Sequence, residues 1–195
     1  GESFLHESQS LRYFKSEEQV EYYEKRLKDN EYTPYLTRET PPPPYDTLVK
    51  NDFGACIIKG SAVLNTPSFL AACTTYLKKN NALLTTTFDF KDLTVLDKSV
   101  QYRDISADLI VFCEGYKVLK NPYFKDLDFR LSKGDVLTLD IPDLPQKFIL
   151  NKDKWLAPFN SHFRLGATYE WNTLDCVPDP KGRKELEQIL NNLLK

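Results

Sequence analysis

The stretch A-D-L-I-V-F-C-E-G at residues 107–115 bears most heavily on the fold. Its four consecutive apolar residues, Leu109, Ile110, Val111 and Phe112, are too few for a helix and show no polar alternation. They read as a short strand buried on both faces, as inside a parallel or mixed α/β sheet. The run then meets Cys113, Glu114 and Gly115, where a missing Cβ lets the backbone turn sharply or approach another group closely. In open α/β sheets ligands sit beyond the carboxyl ends of the strands. This stretch is therefore the first candidate for contact with a cofactor-sized molecule.

Just upstream, residues 93–96 and 100–102 form a predicted hairpin across Asp97-Lys98, and residues 82–90 are β-branched and aromatic enough for a strand. Thr66-Pro67 is a cap followed by a first-turn proline. It predicts a helix to about Lys79 with Phe69, Leu70, Cys73 and Leu77 inward. Residues 53–58 and 62–64 read as short strands, so 53–115 runs strand, helix, strand, hairpin, strand, an α/β arrangement. Pro41, Pro42, Pro43 and Pro44 impose an extended polyproline segment within 39–46. Ahead of it, Ser16 followed by Glu17, Glu18 and Gln19 is a capping-box start. It predicts a helix to about Asn30 with Val20, Tyr23 and Leu27 on one stripe. Residues 1–50 thus read as a helical region and a proline-rich linker.

Downstream the texture changes. Residues 129–141, 147–151, 154–159 and 162–169 read as strands joined by short polar turns, an antiparallel meander. Asp179-Pro180 caps a last helix running to Lys195, with Leu186, Ile189, Leu190 and Leu193 apolar and nothing to end it. The expected class is α+β: α/β-type elements around 53–115, then a mixed, mostly antiparallel sheet with flanking helices over 116–195.

Composition narrows the function. The 195 residues suffice for one sizeable core, and 41% hydrophobic with 28% charged residues is ordinary for a globular chain. A net charge of −2 provides no basic field for nucleic acid or an anionic membrane. No apolar run approaches a bilayer span and no signal-peptide pattern opens the chain, so the expected location is cytoplasmic. The four cysteines, widely spaced, read as buried free thiols rather than disulfides. With only His6 and His162 and no C-x-x-C spacing, no metal site is expected. No Ser, His and Asp group stands out, Asp126 and Asp128 read as turn polarity, and no catalytic residue is assigned. There is no methionine and the chain opens on Gly1-Glu2-Ser3. That reads as a piece cut from a longer protein, or as a sequence from which methionines have dropped out. The prolines with Tyr45 read either as a rigid spacer or as a proline–tyrosine ligand for an aromatic groove. Trp155, Phe159, Tyr169 and Trp171 read as sheet packing or as the lining of an apolar pocket.

Several segments together resemble the D-amino-acid oxidase family of FAD-dependent oxidoreductases. The likeness begins at G-S-A-V-L-N-T-P-S-F, residues 60–69, with Asn65 where the family commonly has aspartate. It continues through residues 84–90 and 107–115, where Glu114 replaces the usual small residue before the glycine. Lys133-Gly134-Asp135-Val136-Leu137, then Trp155-Leu156-Ala157-Pro158, then L-G-A-T-Y-E at 165–170 are similar to the family's substrate-domain strands. The resemblance covers roughly 53–195, with residues 1–50 matching loosely as the insertion leading into the substrate domain. It implies that 53–115 belongs to the FAD-binding layer and 116–195 to the substrate domain. It implies FAD in the intact protein, approached by Phe90, Glu114 and Gly115 mostly through backbone, with Trp155 and Tyr169 on the substrate side. The reaction implied is oxidation of a C–N bond in a small amine or amino acid by hydride transfer to flavin. The family's G-x-G-x-x-G fingerprint and its carboxylate-pairing arginine would lie upstream of Gly1 and beyond Lys195. The chain by itself is accordingly expected to be inactive and to retain no FAD. The competing reading is a non-enzymatic α+β binding module, docking through the proline–tyrosine segment or the aromatic sheet.

Overall fold

The computed structural model describes residues 4–195 and opens on a strand where the sequence pattern shows none. This is β1 (Leu5–Tyr13), followed by α1 (Glu17–Arg26), β2 (Leu36–Thr37), α2 (Tyr45–Leu48), β3 (Ala55–Leu64) and α3 (Thr66–Lys79). Three short strands follow, β4 (Leu93–Val95), β5 (Val100–Tyr102) and β6 (Ile105–Ala107). The last part comprises β7 (Val136–Leu139), β8 (Phe148–Asn151), β9 (Trp155–Phe159), β10 (His162–Gly166) and α4 (Pro180–Leu193). The chain divides into two units, the larger taking residues up to Cys73 together with Ser132–Lys195, the smaller Thr74–Leu131.

The larger unit is built on a seven-stranded sheet of order β2-β3-β1-β8-β9-β10-β7. Only the β1–β8 pair is parallel; the other pairs are antiparallel. The expected α+β class with a mixed, mostly antiparallel sheet is what forms. One face carries Leu11, Tyr13, Ile57, Leu150, Leu156, Phe163 and Leu165 into the core, where α4 contributes Leu186 and Leu193. Alternation along each strand puts every second residue on that face. The cap at Asp179 holds as read, its side chain accepting from the Lys181 N–H with Pro180 in the first turn. Contrary to expectation, the end of α4 is fastened. Lys50 N–H donates to Leu193 O (2.8 Å), Lys195 N–H donates to Leu48 O (2.9 Å), and Val49 bridges Leu194.

Several expectations shift in detail. Ser16 caps α1 and Gln19 reaches back to the Lys15 N–H, but the helix stops at Arg26 and continues as turns. The two strands expected at 53–64 are one, β3, whose pairing with β1 changes register between Ser8 and Ser10. The proline run does not stay extended: Pro42 O accepts from the Tyr45 N–H, and α2 starts at once. Tyr45 is buried, packs edge-on against Phe148 at 5.2 Å, and donates its hydroxyl to Pro145 O at 2.6 Å. Its ring is therefore a core element and not a displayed ligand. The long strands expected at 129–141 and 162–169 shorten to β7 and β10, because their outer residues find fewer ladder partners.

In the smaller unit the expected hairpin forms as β4–β5, and β6 adds a third antiparallel strand. The strand expected at 82–90 does not form; those residues run irregularly into a short 3-10 turn, Phe90–Asp92. The opening stretch also departs from its reading. Its pairing ends at Ala107, opposite Val100. Beyond that, Leu109 and Val111 are 75% and 72% exposed. A strand exists only where a neighbour takes its N–H and C=O groups, and among the described residues none lies beside 109–114. What remains is an aromatic cluster, in which Phe112 meets Phe88, Phe90, Tyr123 and Phe124 at ring separations of 5.7–6.0 Å. In α3 the predicted bounds hold, but Leu70 and Leu77 are exposed rather than inward, for no residue of the helix is buried.

All four cysteines are free, as read, yet only Cys56 is buried; Cys113 and Cys176 are exposed and Cys73 is intermediate. Burial pushes the Cys56 thiol up to about 11, leaving almost no nucleophilic thiolate at neutral pH. A thiol reagent applied to the native chain at mildly alkaline pH will label Cys113 and Cys176, and Cys56 only after denaturation. Mass mapping that finds Cys56 among the fast sites contradicts this. A second expectation concerns Tyr45→Phe, which strips a partner from Pro145 O and from the Lys147 N–H (3.3 Å). It should cost about 1–3 kcal/mol, seen as a lower urea midpoint at constant slope.

Candidate functional site

The face of the larger sheet that α4 leaves uncovered carries one transverse row of side chains. Residues directly opposite in register share a face, so the row can be followed across five strand pairings. Cys56 of β3 faces Arg12 of β1, and Arg12 faces Asn151 of β8. Asn151 faces Trp155 of β9, Trp155 faces Gly166 of β10, and Gly166 faces Val136 of β7. The neighbours of each along its strand, Leu11, Leu150, Leu156, Leu165 and Leu137, point to the core. Alternation alone thus separates a packing face from a chemically mixed one. A Cβ on Gly166 would come within 2.8 Å of Val136 Cγ2, so β7 and β10 approach closely beside Trp155 only because this residue has no side chain.

Arg12 is the charged member of the row. Its Nη1 donates to Asn151 Oδ1. Its Nε is buried and meets no acceptor. Beside it the Cys56 thiol, raised by burial against the pull of the Arg12 charge, stays protonated at neutral pH and supplies no counter-charge. Trp155 is 37% exposed.

Trp155 and Tyr169, the two residues expected on the substrate side, are not brought together. Tyr169 stacks on Trp171 at 6.2 Å with the rings 13° apart, and both are largely exposed. The Lys154 ammonium lies 5.0 Å from the Tyr169 ring and 3.8 Å from Glu185 of α4, which ties Tyr169 to the α4 side. Arg12 and Asn151 are the members of the row that the sequence pattern did not single out. Both lie in stretches where polar residues interrupt the apolar pattern, and nothing local marks them.

The residues expected near FAD all lie in the smaller unit. Phe90 sits in the aromatic cluster, 5.3 Å from Phe88 and 6.3 Å from Tyr123. The Glu114 carboxylate accepts from the side-chain amide of Asn121 at 2.6 Å, and Asn121 is fully buried. Gly115 follows with φ of +58° and open space where a Cβ would stand, a conformation that selects glycine.

Two cavities among the described residues lie off the row. One of about 280 Å³ is bordered by His6, Ser8, Asn65, Gln146, Phe159 and Asn160. A wider one of about 600 Å³ runs past Glu7, Gly60 and Lys147. They offer hydrogen-bonding surface, but the first contains one titratable side chain, His6, and no nucleophile placed beside it. Among the described residues no three His, Cys, Asp or Glu side chains gather as a metal site, and no helix is long and apolar enough to cross a membrane.

The motifs that carry the family resemblance hold the sheet together. Lys133 and Glu170 exchange both backbone hydrogen bonds at 2.8 Å, extending the β7–β10 pairing. The Asp135 N–H donates to the buried Thr168 hydroxyl at 2.9 Å, and Asp135 Oδ2 accepts from the Asp179 N–H at 3.3 Å, where α4 begins. Lys133 Nζ reaches Asp175 Oδ1 at 2.8 Å, which lowers the Asp175 carboxyl.

The chain matches no known protein-family model. Its fold does match solved structures. Iminodiacetate oxidase from Chelativorans sp. BNC1 aligns at a TM-score of 0.73 and 18% identity, over 95% of this chain and 55% of that one. Glycine oxidase from Geobacillus kaustophilus aligns at 0.75 and 15% identity, over 98% and 55%. Glycine oxidase from Bacillus cereus aligns at 0.72 and 17%, over 98% and 56%. The chain spans about half the length of the structures it matches. At such identities the likeness is one of fold, and it agrees with the resemblance carried by the sequence motifs: this chain has the fold of the corresponding half of iminodiacetate oxidase and of two glycine oxidases.

Proposed function

We propose that the chain is part of a cytoplasmic FAD-dependent oxidoreductase that oxidises a C–N bond of a small amine or amino acid. The observation that carries this is the agreement of fold across 95–98% of the chain with three oxidases. One of them is named for iminodiacetate, a secondary amine, and two for glycine, an amino acid. On this reading residues 53–115 contribute to the flavin-binding side and 116–195 to the substrate side, while β1 and β3 supply strands to the same sheet as β7–β10.

The residues fit these roles unequally. Gly115, with its positive φ and open surroundings, suits close approach of a ligand to the backbone. Glu114 is engaged by Asn121, so its charge is held by a protein partner rather than left free against a phosphate-bearing cofactor. Phe90 would serve through the edge of the aromatic cluster. Bound flavin supplies the hydride acceptor. The chain's own contribution is to position the substrate: Trp155, held in β9, offers an aromatic wall on the sheet face opposite α4, with Tyr169, outside the strands and stacked on Trp171, at the margin of the same unit. No side chain is assigned as an acid or base.

The sequence contains no glycine-rich phosphate loop, so the chain alone should retain no FAD and show no oxidase activity. The test has two arms. The complete open reading frame, purified and incubated with FAD, should be yellow and should bleach anaerobically when glycine or iminodiacetate is added. A protein that stays colourless after reconstitution overturns the flavin reading. The isolated chain should lose its colour on desalting; near-stoichiometric retained flavin overturns the claim that it does not hold the cofactor.

A further inference from the structure

β1 reaches further than the strand beside it. β8 begins at Phe148, opposite Gln9, while β1 runs back to Leu5. The chain ahead of β8 leaves the ladder and turns to the core: Leu144 is buried, and Pro145 O is taken by the Tyr45 hydroxyl at 2.6 Å. Pro145 also lacks the N–H that a ladder would use. Between the start of β1 and the end of β9 the sheet is therefore short of one strand's width, and the cavity of about 280 Å³ lies there.

Its walls combine apolar surface with hydrogen-bonding groups that have capacity to spare. Register and alternation place His6 and Ser8 of β1, Val63 of β3 and Phe159 of β9 on the sheet face opposite α4. Ser8 stands four residues before Arg12, about 14 Å along β1, so the cavity is separate from the transverse row. The Phe159 ring is held by the Arg164 guanidinium, 3.6 Å from its centroid, and with Val63 it forms the apolar wall. Asn65, Gln146 and Asn160 each bring a carboxamide. Asn65 spends its oxygen on the Ser68 N–H at 3.2 Å and keeps its amide donors. Gln146 donates one amide hydrogen to His162 O at 3.3 Å and keeps its oxygen. Among the described residues no protein group holds the side chain of His6 or Asn160. No Asp, Glu, Lys or Arg borders the cavity.

That combination selects a class of ligand. A charged molecule would shed water without meeting an opposite charge, and an apolar one would leave the carboxamides unpaired. A carboxamide presents donor and acceptor side by side and matches adjacent hydroxyls. The C–H face of a saturated ring packs on an aromatic wall. The volume falls just below the range of about 300–1,000 Å³ usual for ligand sites, which limits the occupant to one ring. We propose that this cavity binds a small neutral polyhydroxylated molecule of monosaccharide size, with Gln146 and Asn160 on its hydroxyls and Phe159 on its ring face. Nothing covalent is involved, and the site rests on no part of the flavin reading.

The test is an NMR titration of the chain carrying His162→Gln, which leaves His6 as its single histidine, so that the His6 imidazole Cε1–H reports on the cavity. Glucose should shift this resonance saturably, with half-saturation below about 10 mM. Glucuronate adds a carboxylate to the same ring, and cyclohexanol keeps a ring with one hydroxyl; each should bind at least about fivefold more weakly. Asn160→Gly removes a carboxamide and suits the left-handed turn at this position (φ +55°), and Gln146→Met removes another at similar length. Each should weaken glucose at least about fivefold, and either carries the test should the other not fold. The absence of a saturable shift with glucose overturns the proposal. So does equal affinity for glucuronate or cyclohexanol, or unchanged glucose affinity in a folded variant.

Discussion

The larger unit depends on the pairing of β1 with two strands at once. Antiparallel β3 lies on one side and parallel β8 on the other. Remove β1 and the sheet separates into β2–β3 and the block β8–β9–β10–β7. Leu11 and Tyr13 of β1 are fully buried at the centre of the core. The same strand, through the next position in its alternation, sends Arg12 to the other face. Stability and the candidate site thus come from consecutive residues of one strand, and a slip of one position would exchange their places.

Local signals were legible where the physics is local. The caps at Ser16 and Asp179 are settled by atoms within three residues of one another, and both helices begin where their sequences say. The 93–102 hairpin and the core of the 148–166 meander were legible for the same reason. β1 was not, because L-H-E-S-Q-S-L-R-Y carries only a partial apolar alternation and its partners lie far along the chain. The 107–115 stretch failed in the opposite sense. Its apolar run states a demand for burial correctly, but a ladder partner is a tertiary fact, and Leu109 and Val111 stay exposed without one.

The candidate site was less legible than the fold. Trp155, marked by its aromatic character, lies on the sheet face opposite α4, whereas Tyr169, equally aromatic, is tied elsewhere by Trp171 and Lys154. Nothing local marks Arg12, because a single arginine in a polar strand is ordinary; its environment is made by Asn151, 139 residues away. The motifs that did support the resemblance, around Lys133, Asp135 and Thr168, are engaged in backbone pairing and in seating α4. Motifs of that kind transmit a fold, and chemistry has to be argued separately from the side chains the fold displays.

The split of the larger unit across the sequence has a consequence for synthesis. β1 and β3 leave the ribosome early and can pair as neighbours, but β8 follows β1 by 139 residues at the Arg12–Asn151 register. At the usual pace of translation that interval is roughly 7 to 28 s. Throughout it one edge of β1 is an unsatisfied template for strand addition by other nascent chains. The residues that punctuate this edge are Ser8, Ser10 and Arg12, polar or charged at alternate positions. Polar and charged side chains at such positions disfavour strand addition by another chain, so the polarity of β1 suits an edge that has to wait for β8.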